Sequence, residues 1–128
     1  MFKSFLEEIR NEVQNGYSEK GHPFKLLTLG TINSEQLPEQ RIVVLRNSNT
    51  DLNLTFFTDL RSQKVEHIKN NPIVSVHFYH PQKRLQLAFR AKATLEKDEK
   101  IVQNLWEKLA PNSRKDYNAK QIPGSLIE

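Results

Sequence analysis

Apolar residues recur along this chain at two different periods. At 2–14, Phe2, Phe5, Leu6, Ile9 and Val13 stand three and four residues apart, as on one face of a helix. Ser4-Phe5-Leu6-Glu7 has the form of a capping box. Asn15-Gly16 and Gly21-His22-Pro23 are expected to end that helix. From Phe24 the period drops to two. Phe24–Ile32, Gln40–Arg46 and Leu52–Thr58 read as strands, with turn residues at Asn33-Ser34 and Asn47-Ser48-Asn49. Their short connections favour antiparallel neighbours. Ser62–Asn70 reads as a short helix with Val65 and Ile68 inward, ended by Asn71-Pro72. Ile73–Tyr79 and Arg84–Leu95 are two further strands. In the first, Ile73, Ser75, His77 and Tyr79 share one face and Val74, Val76 and Phe78 the other. Asp98 is placed to cap a helix reaching about Leu109, with Ile101, Val102, Leu105, Trp106 and Leu109 as its core-facing stripe. Pro111-Asn112 breaks it, a short helix through Tyr117 can follow, and Pro123-Gly124 opens a last turn.

The pattern predicts a single, mainly β domain: five strands in meander order, one small helix after the third, and helices at both ends. A small antiparallel barrel fits this order better than a doubly wound sheet, whose strands alternate regularly with helices. The apolar fraction is 37%, below the roughly 45–50% of ordinary globular domains. So lean a core would gain from a cofactor or a second subunit. The 19 Lys+Arg against 15 Asp+Glu leave a net charge of +4, which suits a small anionic ligand. The basic residues are dispersed rather than gathered on a stripe, which speaks against nucleic acid. With no cysteine, disulfides and thiolate chemistry are excluded. No leader-like apolar run and no stretch of roughly 18 apolar residues is present, so a cytoplasmic protein away from membranes is expected.

Two segments combine into one candidate anion site. Arg41-Ile42-Val43-Val44-Leu45-Arg46 is a strand with a guanidinium at each end. Phe56-Phe57-Thr58-Asp59-Leu60-Arg61-Ser62-Gln63-Lys64 leaves a strand, turns, and places Ser62 and Lys64 where a helix begins. A helix N-terminus offers unpaired N–H groups and partial positive charge to a phosphate. Arg41 can add a bidentate grip and Lys64 a point charge. On these residues alone, solvated arginines and a plain Ser62 cap remain an alternative. His22, His67, His77 and His80 lack metal-ligand spacing, His67 is expected to be exposed, and no metal site is expected. No nucleophile elbow accompanies the Ser, His and Asp residues.

The two segments, continued by Asn71-Pro72-Ile73-Val74-Ser75-Val76 and Arg84-Leu85-Gln86-Leu87, resemble the flavin-binding half of the pyridoxamine 5'-phosphate oxidase superfamily over about residues 24–95. That resemblance implies an antiparallel FMN-binding split β-barrel of Greek-key-like connectivity, a homodimer with FMN at its two-fold interface. It implies that Arg41 and Lys64 hold the FMN phosphate, and that the backbone of Ile42, Val43, Val44 and Leu45 runs beside the isoalloxazine. Phe57 and Thr58 would line the ribityl and phosphate region, Ser62 at the helix start is a further cofactor-binding candidate, and Gln86 would hydrogen-bond the flavin. Arg46 replaces the family's usual Lys between flavin and substrate. Gln63 replaces its usual Arg, removing one phosphate cation, so FMN binding should be somewhat weaker than in the full oxidase pattern. The C-terminal part departs further. The oxidase's Tyr, Arg and Ser that grip the substrate phosphate have no match in register, which leaves Arg46 and Arg114 as substrate candidates. Trp106 with Ser113-Arg114 and the later Pro-Gly resembles an oxidase-related FMN-binding branch. That branch ordinarily continues into a further strand, so either the barrel closes differently here or a terminal piece is lacking. Three readings follow: an FMN-dependent oxidoreductase of unassigned substrate, an FMN carrier without catalysis, and a small basic nucleic-acid-binding barrel.

Overall fold

A computed structural model of the chain describes residues 2–49, 51–108 and 125–127. Helix α1 (Phe2–Ser18) leads through a 3-10 turn (Pro23–Lys25) into β1 (Leu26–Ile32) and β2 (Pro38–Val44). Short strands β3 (Asn47–Ser48) and β4 (Leu54–Phe56) precede α2 (Gln63–Asn70). Then come β5 (Ile73–His80), β6 (Leu85–Thr94), α3 (Glu99–Glu107) and β7 (Ser125–Ile127).

The first helix runs further than its breakers imply. Gly16 stays helical because its bare Cα lets the 3-10 turn lie against α1. A Cβ there would overlap the Phe24 side chain and come within 2.9 Å of its carbonyl. The reversal comes instead at Gly21, whose φ of 80° is cheap only for glycine. Ser4 lies inside the helix rather than at its cap. Along the expected apolar stripe Val13 is fully buried and Ile9 packs on the core, but Phe5 faces solvent.

Every described strand pairing is antiparallel, and the order is β2-β1-β5-β6-β7-β4-β3. The expected meander is therefore wrong. The segment read as one strand from Gln40 to Arg46 bends after Val44, and its continuation pairs with β4 at the opposite end of the order. Leu45 N–H donates to the Lys25 carbonyl and Arg46 N–H to the Thr55 carbonyl, each at 2.8 Å. Because β2 and β3 are the two ends of one sheet yet almost continuous in sequence, the sheet must curl on itself into a barrel. The strand β7, found where only a turn was expected, sits between β6 and β4.

Alternation along the strands fills that barrel. Leu27 and Leu29 of β1, Val43 of β2, Leu54 and Phe56 of β4, Val74, Val76 and Phe78 of β5, and Leu87, Ala91 and Ala93 of β6 all point inward. Phe24 stacks on Phe78 with ring centroids 4.8 Å apart. The α2 helix seals one side with Val65 and Ile68, as its spacing predicts. The α3 helix departs from expectation. Asp98 caps it, accepting from Lys100 N–H at 2.9 Å, but none of its residues is buried. Ile101 is exposed, while Val102, Leu105 and Trp106 are only half-covered. Leu109, Arg114, the short helix through Tyr117 and the Pro123-Gly124 turn lie outside the described residues.

Candidate functional site

The two segments singled out by sequence converge where β2 passes the start of α2. Arg41 pairs across the sheet with Leu29, so its side chain lies on the barrel-facing side and is half-buried. Its Nη1 donates to Thr31 Oγ1 at 2.7 Å, to the Leu29 carbonyl at 3.2 Å and to the Glu39 carbonyl at 3.4 Å. Nε and Nη2 have no acceptor among the described residues. Lys64, in the first turn of α2, is also half-buried. Burial and then the Arg41 charge lower its pKa, against the opposing pull of Asp59. Burial likewise lowers that of Arg41, with the Glu39 carboxylate opposing. Two cations are thus desolvated close together. Asp59, the carboxylate beside Lys64, is committed to Arg61 through contacts of 2.7 and 3.0 Å and titrates at about 2. Such a pair gains from an added anion.

The helix start supplies further donors. Ser62 is the N-cap residue of α2, but its hydroxyl makes no capping bond and lies 3.2 Å from Thr58 Oγ1. In the first turn the Val65 N–H donates to the Ser62 carbonyl at 3.2 Å, while those of Gln63 and Lys64 receive no side-chain cap from Ser62. Thr58 and Phe57 are buried behind it, and Gln63 is exposed. Phe57 meets Trp106 of α3 edge-to-face at 5.7 Å. Ile42 and Val44 point away from the core and Val43 and Leu45 into it. Because β2 ends the sheet order, alternate backbone groups along it are not taken up by a neighbouring strand.

Not every expected site residue joins this cluster. Arg46 is buried beside Lys25, whose pKa falls through burial and then the Arg46 charge. Gln86 lies on the opposite face of the sheet from Arg41, where its Oε1 is 2.9 Å from His77 Nε2. On that outer face, Leu26, Ile42, Ile73 and Tyr79 are all about half exposed or more.

Two polar clusters went unread in the sequence. His67 is buried, not exposed, and its Nδ1 lies 2.8 Å from Thr31 Oγ1. The second cluster joins Glu12 of α1, His22 and His80, whose ligating atoms lie within 4.8 Å of one another. His22 Nε2 is 2.6 Å and His80 Nε2 3.7 Å from one Glu12 oxygen, and Lys83 Nζ is 2.8 Å from the other. Each imidazole accepts a backbone N–H at Nδ1, from Phe24 at 3.0 Å and from Lys83 at 3.2 Å. The proton of each neutral ring is therefore on Nε2, facing the carboxylate. A metal at Nε2 would need the opposite tautomer, setting N–H against N–H, so the cluster is a hydrogen-bonded clasp. Glu12 and Lys83 are 71 residues apart, which hides the grouping from any local motif.

The chain forms a small antiparallel split barrel in which two half-buried cations, Arg41 and Lys64, lie near the start of a helix. Residues 2–97 match the family model for the pyridoxamine 5'-phosphate oxidase FMN-binding domain, and the chain belongs to that family. It is 39% identical over 59 residues to the pyridoxine/pyridoxamine 5'-phosphate oxidase of Vibrio vulnificus, a match covering 45% of this chain and 28% of that protein. The chain thus aligns with less than a third of that relative's length. The structure superposes on a pyridoxamine 5'-phosphate oxidase-related, FMN-binding protein from Nostoc punctiforme with a TM-score of 0.72 and 22% identity, over 94% of this chain and 76% of the other. It also superposes on HutZ, a heme storage protein from Vibrio cholerae, with a TM-score of 0.65 and 15% identity, over 92% and 87% of the two chains. At these identities the structural matches establish the fold. Among the described residues no helix is long and apolar enough to cross a membrane.

Proposed function

We propose that this chain binds FMN and serves a flavin-dependent oxidoreductase reaction of unassigned substrate. The observation that carries the reading is the Arg41–Lys64 pair, two desolvated cations at the uncapped start of α2. This cradle fits a phosphate monoester: a guanidinium edge with free Nε and Nη2, an ammonium, and first-turn N–H donors. The open edge of β2 offers backbone groups to the polar rim of an isoalloxazine. FMN, when bound, supplies the two-electron redox chemistry. The chain's own residues grip the phosphate, flank the ring and shield it from water.

A second copy completes the reading. Gln86 and Arg41 lie on opposite faces of the sheet, which supports a flavin shared between two copies. The exposed apolar face around Ile42 and Tyr79 is the surface a two-fold partner would cover. Arg46 and Arg114 are the cations proposed for the substrate.

Mass spectrometry of the ligand released on denaturing the purified protein tests the cofactor; a heme or no ligand after FMN supplementation would overturn it. Reduction of the bound flavin by NAD(P)H, with turnover of an acceptor, separates an oxidoreductase from a flavin carrier.

A further inference from the structure

His67 and Thr31 lie behind the anion cradle and belong to different elements, α2 and β1. Thr31 is 1% exposed and His67 9%. The Thr31 hydroxyl accepts a hydrogen bond from Arg41 Nη1 at 2.7 Å. His67 Nδ1 lies 2.8 Å from the same hydroxyl oxygen, the donor being set by the imidazole tautomer. The other ring nitrogen, Nε2, stands 3.6 Å from Glu39 Oε2, and the same carboxylate oxygen accepts from Asn33 Nδ2 at 2.9 Å. The contacts run without a break from Arg41 through Thr31 to His67. They tie the strand that carries Arg41 to the helix that carries Lys64, one turn before His67.

We infer that the Thr31–His67 bond is a positioning device for phosphate recognition. It turns Nη1 of Arg41 inward, leaves the Nε/Nη2 edge to the ligand, and fixes the distance between that edge and the start of α2. This rests on the reading that Arg41 and Lys64 hold the FMN phosphate. Neither Thr31 nor His67 touches the ligand; both act through Arg41 and the seating of α2. The Leu29 and Glu39 carbonyls also accept from Nη1, and the Thr31 hydroxyl adds the shortest of the three contacts, which together oppose the repulsion between two half-buried cations.

Binding of FMN and of riboflavin, which lacks the phosphate, separates positioning from general stability. Both affinities are measured by flavin fluorescence titration on wild type, Thr31→Val, Thr31→Ser, His67→Leu and His67→Asn. Thr31→Val and His67→Leu are expected to weaken FMN about five- to tenfold while leaving riboflavin binding at the wild-type level. Thr31→Ser, which keeps the hydroxyl, and His67→Asn, which keeps a hydrogen-bonding group near Nδ1, should recover most of the loss. Equal losses for FMN and riboflavin would make the pair a plain packing element and overturn the inference, as would no loss for either. Arg41→Ala is the control. If it fails to separate FMN from riboflavin, the phosphate reading falls and the positioning role falls with it. If it separates them and the Thr31 and His67 variants do not, only the positioning role falls.

Discussion

Arg41 and Lys64 are not equivalent in the cradle. Arg41 is anchored through Nη1 to two carbonyls and a hydroxyl, whereas Lys64 is held as a desolvated charge beside it. Each charge-assisted contact to a phosphate is worth roughly 1.5–3 kcal/mol. Arg41→Ala should therefore weaken FMN at least about tenfold with the fold retained, measured by fluorescence titration and circular dichroism. Unchanged affinity in both the Arg41 and Lys64 variants would sink the site. Lys64 carries an added consequence. Its folded pKa is lowered, so its charge opposes folding below that pKa, and the opposition fades as pH rises toward its ordinary 10.5. Lys64→Gln should lose FMN affinity yet leave the apoprotein at least as stable as wild type in thermal melts at neutral pH. A destabilised apoprotein would show that Lys64 is structural rather than reserved for an anion.

At the scale of elements, the seating of α1 depends on Gly16 and the Glu12 clasp. Burial works against ionisation of Glu12, but hydrogen bonds from Lys83 and His22 and the Lys83 charge more than offset it, so its pKa lies below the ordinary 4.5. A depressed carboxylate contributes stability that is present above its unfolded pKa and lost as pH falls through the folded value. Glu12→Gln should therefore flatten the acid limb of the stability–pH curve below about pH 4.5. It should also cost roughly 1–3 kcal/mol at neutral pH, because buried donors lose their acceptor. Chemical denaturation at several pH values measures both. An unchanged acid limb would mean that the clasp is not what acid breaks.

For the whole molecule, the expectation is a dimer whose assembly and flavin binding are linked. If FMN binds only between two copies, it must stabilise the dimer by mass action, so sedimentation velocity should show FMN shifting the chain toward dimer. Ile42→Lys, on the exposed outer face, should weaken both dimer and flavin binding; a monomer that keeps its FMN would defeat this. Oxidation of pyridoxamine 5'-phosphate needs cations for a second dianion beside those for FMN. Arg46 is buried beside Lys25, and discrimination for one phosphorylated substrate takes several convergent donors. Pyridoxal 5'-phosphate formation should be absent or orders of magnitude below that of a true oxidase, with bound FMN still reducible. Robust saturable turnover abolished by Arg46→Ala would restore the simpler oxidase assignment.

Local physics was legible in the sequence. Alternation in Ile73–Tyr79 gave the buried face of β5 and the spacing of Val65 and Ile68 gave the inner side of α2, because each depends on neighbours a few residues away. Arg41 and Lys64 stood out as candidate phosphate cations by residue type, but they lie on different elements and the fold brings their charges together. The barrel's closure, the clasp and the Thr31–His67 pair were decided only by tertiary structure. The bend at Leu45-Arg46 takes its partners from Lys25 and Thr55. His67 looked like a surface histidine on a polar helix until β1 was placed against it, 36 residues earlier in the chain. Gly16 read as a helix breaker because nothing local reveals that Phe24 packs on it. Periodicity and capping are set within one turn or one strand, so sequence determines them. Which polar groups are desolvated together depends on how strands distant in sequence close around them, and only the folded chain decides that.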